Sequence, residues 1–489
     1  MSTVSKAPRG SAINRWLVLL LVGLAQFIVV VDLTIANVAL PSMQQALNIS
    51  TENLQWVITA YTLCFGGFLL LGGRAADILG RKKVFLIGTI AFALGSLAVG
   101  VSQNETLVIL SRGLQGLAGA FMAPAALAIV LNTFPEGEDR NKALSVWGAI
   151  ASGGAAVGLL AGGVLTQYLG WRWNFFINLP IAIAVAIFSL RFVPESKANL
   201  GHKTFDTVGG VTVTGGLMLL VYGLTKAPQY GWGSTRTLIT LAASMIILAL
   251  FLLNEHRSKH PLMPLSIFAT KNVGRANLVL FPVIAAMFAM FFFLTLYVQN
   301  ILGYSPVKTG FAFLPVALTI GVVAGGAAQL VKKIGYKPLM VVGPLLIGGA
   351  LFWLAQLPVQ GEYLKHILPP LVTMAAGMGL VFISATIAAT NGVAKRDSGL
   401  ASGLLNTTQQ VGGALGLAVL SAVAAASTKS FIEALGHAPS AADVPASLVH
   451  GFHAAFYTGS GFAIFAAFCA LLLVRTYKGE SLEFKPPGA

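Results

Sequence analysis

Two ionisable side chains, Asp32 and Arg112, fall inside stretches that are otherwise almost wholly apolar. A charge at mid-bilayer costs about 2.5–3.5 kcal/mol on insertion scales, so such a residue is a candidate for function. An aspartate can take up and release a proton, whereas an arginine keeps its positive charge. Beside Arg112 the Asp32 carboxylate is favoured as the anion; parted from it and out of water, the neutral acid is favoured. The pair has the chemistry of a proton switch tied to helix movement. The plainer alternative is a permanent ion pair that only orients two helices.

The elements that must position this pair are long apolar runs. The chain has 489 residues, 56% of them hydrophobic and 10% charged, with a mean hydropathy of +0.81. A soluble protein is about 25% charged, so this composition cannot cover a water-facing surface and specifies an all-α integral membrane protein in contact with a lipid bilayer. Crossing a core of about 30 Å takes about 20 helical residues. Fourteen runs qualify, over 16–40, 54–72, 84–101, 106–131, 143–165, 174–193, 208–225, 237–253, 277–299, 310–331, 338–357, 366–390, 405–426 and 452–474. The first is too long for a signal-peptide core and carries Asp32 and Asn37.

With the N-terminus inside, 24 of the 31 Lys and Arg fall on inner segments and 6 on outer loops. This is the asymmetry of basic cytoplasmic loops, and it predicts that both termini are cytoplasmic. It also accounts for the net charge of +15 without a nucleic-acid partner. On this topology Asp32 lies about 12 Å below the outer end of helix 1 and Arg112 about 9 Å below that of helix 4, so the two charges share a depth.

Other chemistries lack their residues. Cys64 and Cys469 stand alone in apolar runs, and the histidines have no acidic ligand cluster beside them, so no metal site is expected. No phosphate-binding G-x-x-x-x-G-K-[ST] loop occurs, the loops are too short for a soluble domain, and no nucleophile with a base lies at depth. An enzyme is the weakest class. A non-transporting membrane sensor is a further rival, one that would tolerate loss of Asp32 and Arg112 together.

The inner loop after helix 2, with Asp77, Gly80, Arg81, Lys82 and Lys83, is echoed after helix 10 by Lys332, Lys333, Gly335 and Lys337. Parallel halves would repeat after six helices, yet these loops are eight apart. The expected organisation is a six-helix bundle over 1–194, two inserted helices with their loops over 195–270, and a second six-helix bundle over 271–489. In the first loop Asp77 either ties down a neighbouring helix end in one access state, with Gly80 allowing the turn, or belongs to a plain basic anchor. Helix 5 carries Gly154, Gly158, Gly162 and Gly163, a spacing for close helix packing or for a hinge. Polar and aromatic residues in the spans form the candidate substrate pocket: Gln26, Asn37, Trp56, Tyr61, Gln115 and Met122 in the first half, and Tyr297, Gln299, Asn406 and Gln410 in the second.

The ordered set Asp32-Leu-Thr34-Ile-Ala-Asn37, Gly73-x-x-x-Asp77-x-x-Gly80-Arg81-Lys82, Arg112-Gly-Leu-Gln115-Gly116, Trp171-Arg172-Trp173-Asn174 through Asn178-Leu-Pro180, Leu296-Tyr297-Val-Gln299-Asn300 and Gly399-Leu-Ala-Ser402-Gly403 resembles the fourteen-helix drug:proton antiporters of the EmrB/QacA type within the major facilitator superfamily, across essentially the whole chain. The resemblance implies the major facilitator fold in a bacterial inner membrane, with protons as the coupling ion and no other cofactor. It implies efflux of lipophilic drugs or antibiotics in exchange for protons, by a functional monomer; a dedicated metabolite exporter is the alternative. It also gives Asp77, Gly80, Arg81 and Lys82 a gating role. The segment Gly158-Leu159-Leu160-Ala161-Gly162-Gly163 departs from the antiporter pattern Gly-Pro-x-x-Gly-Gly at Leu159. No acidic residue lies in a predicted span of the second half, so a neutral or monocationic substrate is expected rather than a dication.

Overall fold

Fourteen helices long and apolar enough to cross a bilayer make up the described residues. The first half holds α1 (Arg15–Leu47), α2 (Trp56–Leu79), α3 (Arg81–Val101), α4 (Glu105–Thr133), α5 (Glu138–Tyr168) and α6 (Trp173–Phe192). Then come α7 (Thr207–Tyr230) and α8 (Thr235–Arg257). The second half holds α9 (Val273–Ile301), α10 (Pro306–Ile334), α11 (Tyr336–Leu354), α12 (Tyr363–Thr390), α13 (Ser398–Ala434) and α14 (Val444–Leu473). The computed structural model describes residues 14–135, 137–197, 206–258, 261–270, 272–390, 393, 398–437, 440 and 442–476. No strand occurs among them. The expected side of the two termini concerns segments largely outside the described residues.

Side chains cap the helix starts as their types demand: Asn14, Asn104, Asp206, Ser234 and Ser305 each accept a backbone N–H from the first turn that follows. The repeated loops end one helix and begin the next at a glycine, Gly80 with φ +118° and Gly335 with φ +80°, a backbone state that disfavours any side chain. The helices overrun their apolar limits. α13, expected over 405–426, spans Ser398–Ala434, and α8 continues to Arg257. Hydropathy marks where lipid ends, whereas the i→i−4 ladder runs on into water through good helix formers.

Small residues set the closest approaches. A Cβ on Gly116 would run into the Tyr61 carbonyl and one on Gly72 into the Ala120 carbonyl, so α2 and α4 pack backbone to backbone. On α5, Gly154, Gly158 and Gly162 face Val30, Thr34 and Ile35 of α1, which is a packing face. Gly163 points the other way, against Pro306 and Val307 of α10, where Gly310 in turn faces the Leu159 carbonyl at 2.5 Å from an added Cβ.

That α5–α10 seam is tight where Gly163 and Gly310 meet the opposite backbone. Further toward the basic loops, Gly153, Gly321 and Gly325 are exposed and would meet nothing within 4 Å if given a Cβ. At the closed end Gln299 Nε2 donates to the Val38 carbonyl at 2.9 Å, and the Val307 N–H donates to Gln167 Oε1 at 3.3 Å. On the other seam α2 and α13 stay in contact at Gly66 with Gln410 and at Leu70 with Gly403. Helix α7 lies along this seam: Gln55 of the first half donates to Thr225 at 3.1 Å, while Leu63, Leu217, Val221, Ala414 and Ala418 join α2, α7 and α13 in one apolar cluster.

Candidate functional site

Asp32 sits mid-helix in α1 with no exposed surface, and two helices, α4 and α6, converge on its carboxylate. Arg112 of α4 donates Nη1–H to Oδ2 at 2.5 Å. Gln115, one turn on along the same face of α4, donates to Oδ1 at 2.8 Å, and Asn178 of α6 donates to the same oxygen at 3.0 Å. Arg112 is held in turn. Its Nε–H donates to the Val57 carbonyl at 2.9 Å, its Nη1 also donates to Gln115 Oε1 at 2.7 Å, and its guanidinium lies 4.4 Å above the centre of the Tyr61 ring. Behind Asn178, Ser96 of α3 accepts its amide at 2.9 Å and donates to the Phe175 carbonyl at 2.8 Å.

Every group touching the carboxylate donates to it, which is the hydrogen-bonding pattern of the anion. Arg112, Asp32, Gln115 and Asn178 are all fully buried. A buried pair of this kind is strongly destabilised by losing one partner. Three polar atoms in the same shell have no partner: Arg112 Nη2, the Tyr61 hydroxyl and Asn178 Oδ1.

Several pocket candidates prove to belong elsewhere. Gln115 and Tyr61 are part of the shell around Asp32 and Arg112 instead of lining a cavity. Met122 is fully buried between α3 and α4, where the missing side chain of Gly88 lets the Met122 backbone approach closely. Tyr297 is buried within the second half and donates its hydroxyl to the Pro358 carbonyl at 2.5 Å. Gln299 bridges the halves at the closed end, and Asn37 is turned back on its own helix, donating to the Leu33 carbonyl at 2.9 Å. Trp56 packs on the α2–α7–α13 cluster. Gln26 is half-buried and Asn406 exposed; Gln410 stands against Gly66 with its Oε1 buried and unpartnered. A separate groove of about 330 Å³, lined only by apolar side chains of α7, α9, α13 and α14 such as Leu220, Phe281, Leu415 and Phe462, contains none of these residues.

At the basic end Asp77 pairs with Arg81 at 3.0 Å, across the Gly80 turn. The cap on α3 comes instead from Glu195, just past α6, which accepts the Lys82 and Lys83 N–H groups at 3.1 and 3.2 Å, while Lys82 Nζ donates to the Leu190 carbonyl at 2.7 Å. Glu195 was silent in the sequence, because nothing local predicts that the end of α6 lies beside the start of α3. Asn178 and Ser96 were likewise missed as site residues, although Asn178 falls within a motif already singled out.

A further acid escaped the count of charges in spans. Glu255 lies in the last turn of α8, 3% exposed, and accepts the Met263 N–H at 2.8 Å. Asp206, which caps α7, stands beside it and accepts from Asn254 at 2.9 and 3.0 Å. Among the described residues no group of three or more His, Cys, Asp or Glu side chains could hold a metal ion.

The Major Facilitator Superfamily profile matches residues 22–417. The chain belongs to that superfamily. It is a multi-pass bacterial membrane protein with the fold of these transporters, and fourteen helices able to span a membrane lie among its described residues. It is 40% identical over 474 residues to the puromycin resistance protein pur8 of Streptomyces alboniger, covering 96% of this chain and 93% of that one. It is 38% identical over 407 residues to the cephamycin export protein CmcT of Amycolatopsis lactamdurans, covering 83% and 84%. Among solved structures it is similar to a bacterial homologue of the human lysosomal transporter spinster, in an inward-facing and unoccupied conformation. That match has a TM-score of 0.68 and 17% identity, covers 95% of this chain and 97% of that one, and bears on the fold alone.

Proposed function

We propose that this transporter expels lipophilic neutral or monocationic drugs in exchange for protons, with Asp32 as the proton carrier and Arg112 as its fixed counter-charge. The observation that carries this reading is the fully buried Asp32 carboxylate, held from α4 and α6 at once. Its proton occupancy can therefore be read out as helix position. With the basic loops on the cytoplasmic side, the Gln299–Val38 and Gln167–Val307 contacts close the α5–α10 seam toward the outside. Rocking of the two halves about their contact opens that side and gives the buried Asp32 access to it. A proton moving inward gains about 2.3 kcal/mol per 100 mV, and each pH unit adds about 1.4 kcal/mol. One proton exchanged for a monocation is electroneutral and draws on the pH term alone, whereas exchange for a neutral molecule draws on both.

The test is drug efflux from proteoliposomes under an imposed pH gradient. The intact protein moves drug against its gradient with counterflow of protons, and Asp32→Asn retains drug exchange but loses uphill movement. Uphill efflux by Asp32→Asn would overturn the proposal. Collapsing the membrane potential alone separates neutral from monocationic substrates. A second reading, a dedicated exporter of one antibiotic, is favoured by the names of the relatives, which refer to puromycin resistance and cephamycin export. A ligand-dependent thermal-shift panel separates the two: one stabilising compound class indicates the dedicated exporter, many unrelated ones the broad one.

A further inference from the structure

The shell around Asp32 suits the anion and offers nothing obvious to the protonated acid. A neutral carboxyl carries an O–H that needs an acceptor. Arg112 can only donate, and Gln115 is held the wrong way round, because its Oε1 already accepts from Arg112 Nη1 at 2.7 Å while its Nε2 faces Asp32 at 2.8 Å. Turning the Gln115 amide would set its NH2 against the guanidinium. The third contact is different. Asn178 faces Asp32 with Nδ2 at 3.0 Å, and its Oδ1 is buried with no partner. The Nδ2 also donates to Ser96 Oγ at 2.9 Å, and that hydroxyl donates to the Phe175 carbonyl at 2.8 Å.

We infer that Asn178 is the positioning residue that adapts the site to both protonation states, its side-chain amide turning over when Asp32 takes up a proton. This rests on the reading of Asp32 as proton carrier and names how that same site is regulated. After a half-turn about χ2, Oδ1 stands where Nδ2 stood and accepts the new O–H of Asp32. The Ser96 hydroxyl rotates from the Phe175 carbonyl to donate to the same Oδ1. Protonation is thereby passed from α1 to α6 and on to α3: the O–H of Asp32 is met, and the unmet group becomes the Asn178 Nδ2, which takes the place where Oδ1 has no partner. The groups that face Asp32 from the other packed elements leave this role to Asn178. Arg112 is the charged one; Tyr61, the titratable one, holds its ring under that guanidinium with its hydroxyl against Gly119 of α4; from α3 Ser96 reaches the site through Asn178, and α5 contributes Gly158 and Gly162 against this stretch of α1. At the closed end of α1 the contact is the uncharged Gln299.

The experiment measures the pH profile of proton-driven efflux in proteoliposomes for Asn178→Leu, Asn178→Gln and Ser96→Ala, alongside Asp32→Asn. Asn178→Leu removes one of three donors from the anion but, from the acid, the acceptor that the turned amide presents in direct contact, so proton uptake is weakened and the profile moves to lower pH by about one unit or more. Asn178→Gln, which restores an amide, returns the profile toward that of the intact protein. Ser96→Ala moves it in the same direction as Asn178→Leu by less, and supplies the answer if the leucine variant does not fold. An unchanged or alkaline-shifted profile in whichever of these variants folds overturns the inference. If Asp32→Asn still pumps uphill, the carrier assignment itself fails. If Asp32→Asn is inactive and the Asn178 and Ser96 profiles do not move, only the inference about Asn178 fails.

Discussion

Replacing Arg112 by Leu tests whether the two buried charges act as one unit. The substitution removes the 2.5 Å contact to Asp32, the anchor to the Val57 carbonyl and the hold on Gln115 Oε1, and leaves a carboxylate with two amide donors and no counter-charge. Breaking a buried pair in this way costs roughly 3–5 kcal/mol, or about two to three and a half decades in an equilibrium constant at 1.36 kcal/mol per decade. With the counter-charge gone the pair no longer works as a unit, so Arg112→Leu loses uphill efflux by about 100-fold or more while drug exchange continues. Asp32→Asn leaves the reciprocal fault, a buried guanidinium with no anion. The double variant Asp32→Asn/Arg112→Leu removes both charges and is more stable than the sum of the single losses requires, with a coupling of about 3 kcal/mol in a double-mutant cycle. Unfolding of the purified protein in detergent gives the stabilities, and flux into proteoliposomes gives the activity. Additivity within about 0.5 kcal/mol would refute the reasoning, since it would mean that each charge is stabilised independently of the other.

Glu195→Ala leaves the Lys82 and Lys83 N–H groups without their cap and costs about 1 kcal/mol, whereas Glu195→Gln keeps an acceptor and costs less; amide exchange over residues 81–85 reports the difference, and equal protection in both variants would argue against the cap. Gly163→Leu drives a side chain into the Pro306 carbonyl and Val307, so it props this end of the seam apart; if the halves rock about their contact, a cysteine placed at Gly321 then becomes slower to label from the basic side, and faster labelling would contradict that rocking. Asp443, in the loop before α14, is held below the usual aspartate range by hydrogen bonds from the Ser440 hydroxyl and backbone N–H at 2.6 and 2.9 Å. Because its carboxylate is the favoured form in the folded loop, this support is complete above the ordinary value of about 3.9 and is lost as pH falls through the lowered one. Amide exchange near 440–447 should rise only in that acid window, and a rise near neutral pH would point to another group.

Much of the frame was legible because the bilayer imposes it. Apolar runs of about 20 residues, basic loops on alternate ends and a glycine at each copy of the repeated loop follow from solvation and backbone sterics, which act locally along the chain. The buried acid and its arginine were legible for the same reason, as charges that lipid does not tolerate unpaired. The pocket was not. Gln115, Tyr61, Met122 and Tyr297 have side chains suited to a substrate, but whether a residue of a spanning helix faces lipid, a neighbour or a cavity depends on the rotation of that helix within the bundle. Glu255 was overlooked because α8 extends beyond the apolar limit used to define its span.

Composition and periodicity by themselves determined that this chain holds fourteen segments long and apolar enough to cross a membrane and which two charges must be accounted for within them. Only the packed bundle decided that α6 completes the Asp32 shell through Asn178, that Glu195 caps α3, and that the halves meet through Gly163 and Gln299 beside α10 and α1. The physical reason is range. Burial of apolar surface and the price of an unpaired charge are set by each segment's own residues, whereas a hydrogen bond between helices requires two side chains far apart in sequence to reach the same depth and face.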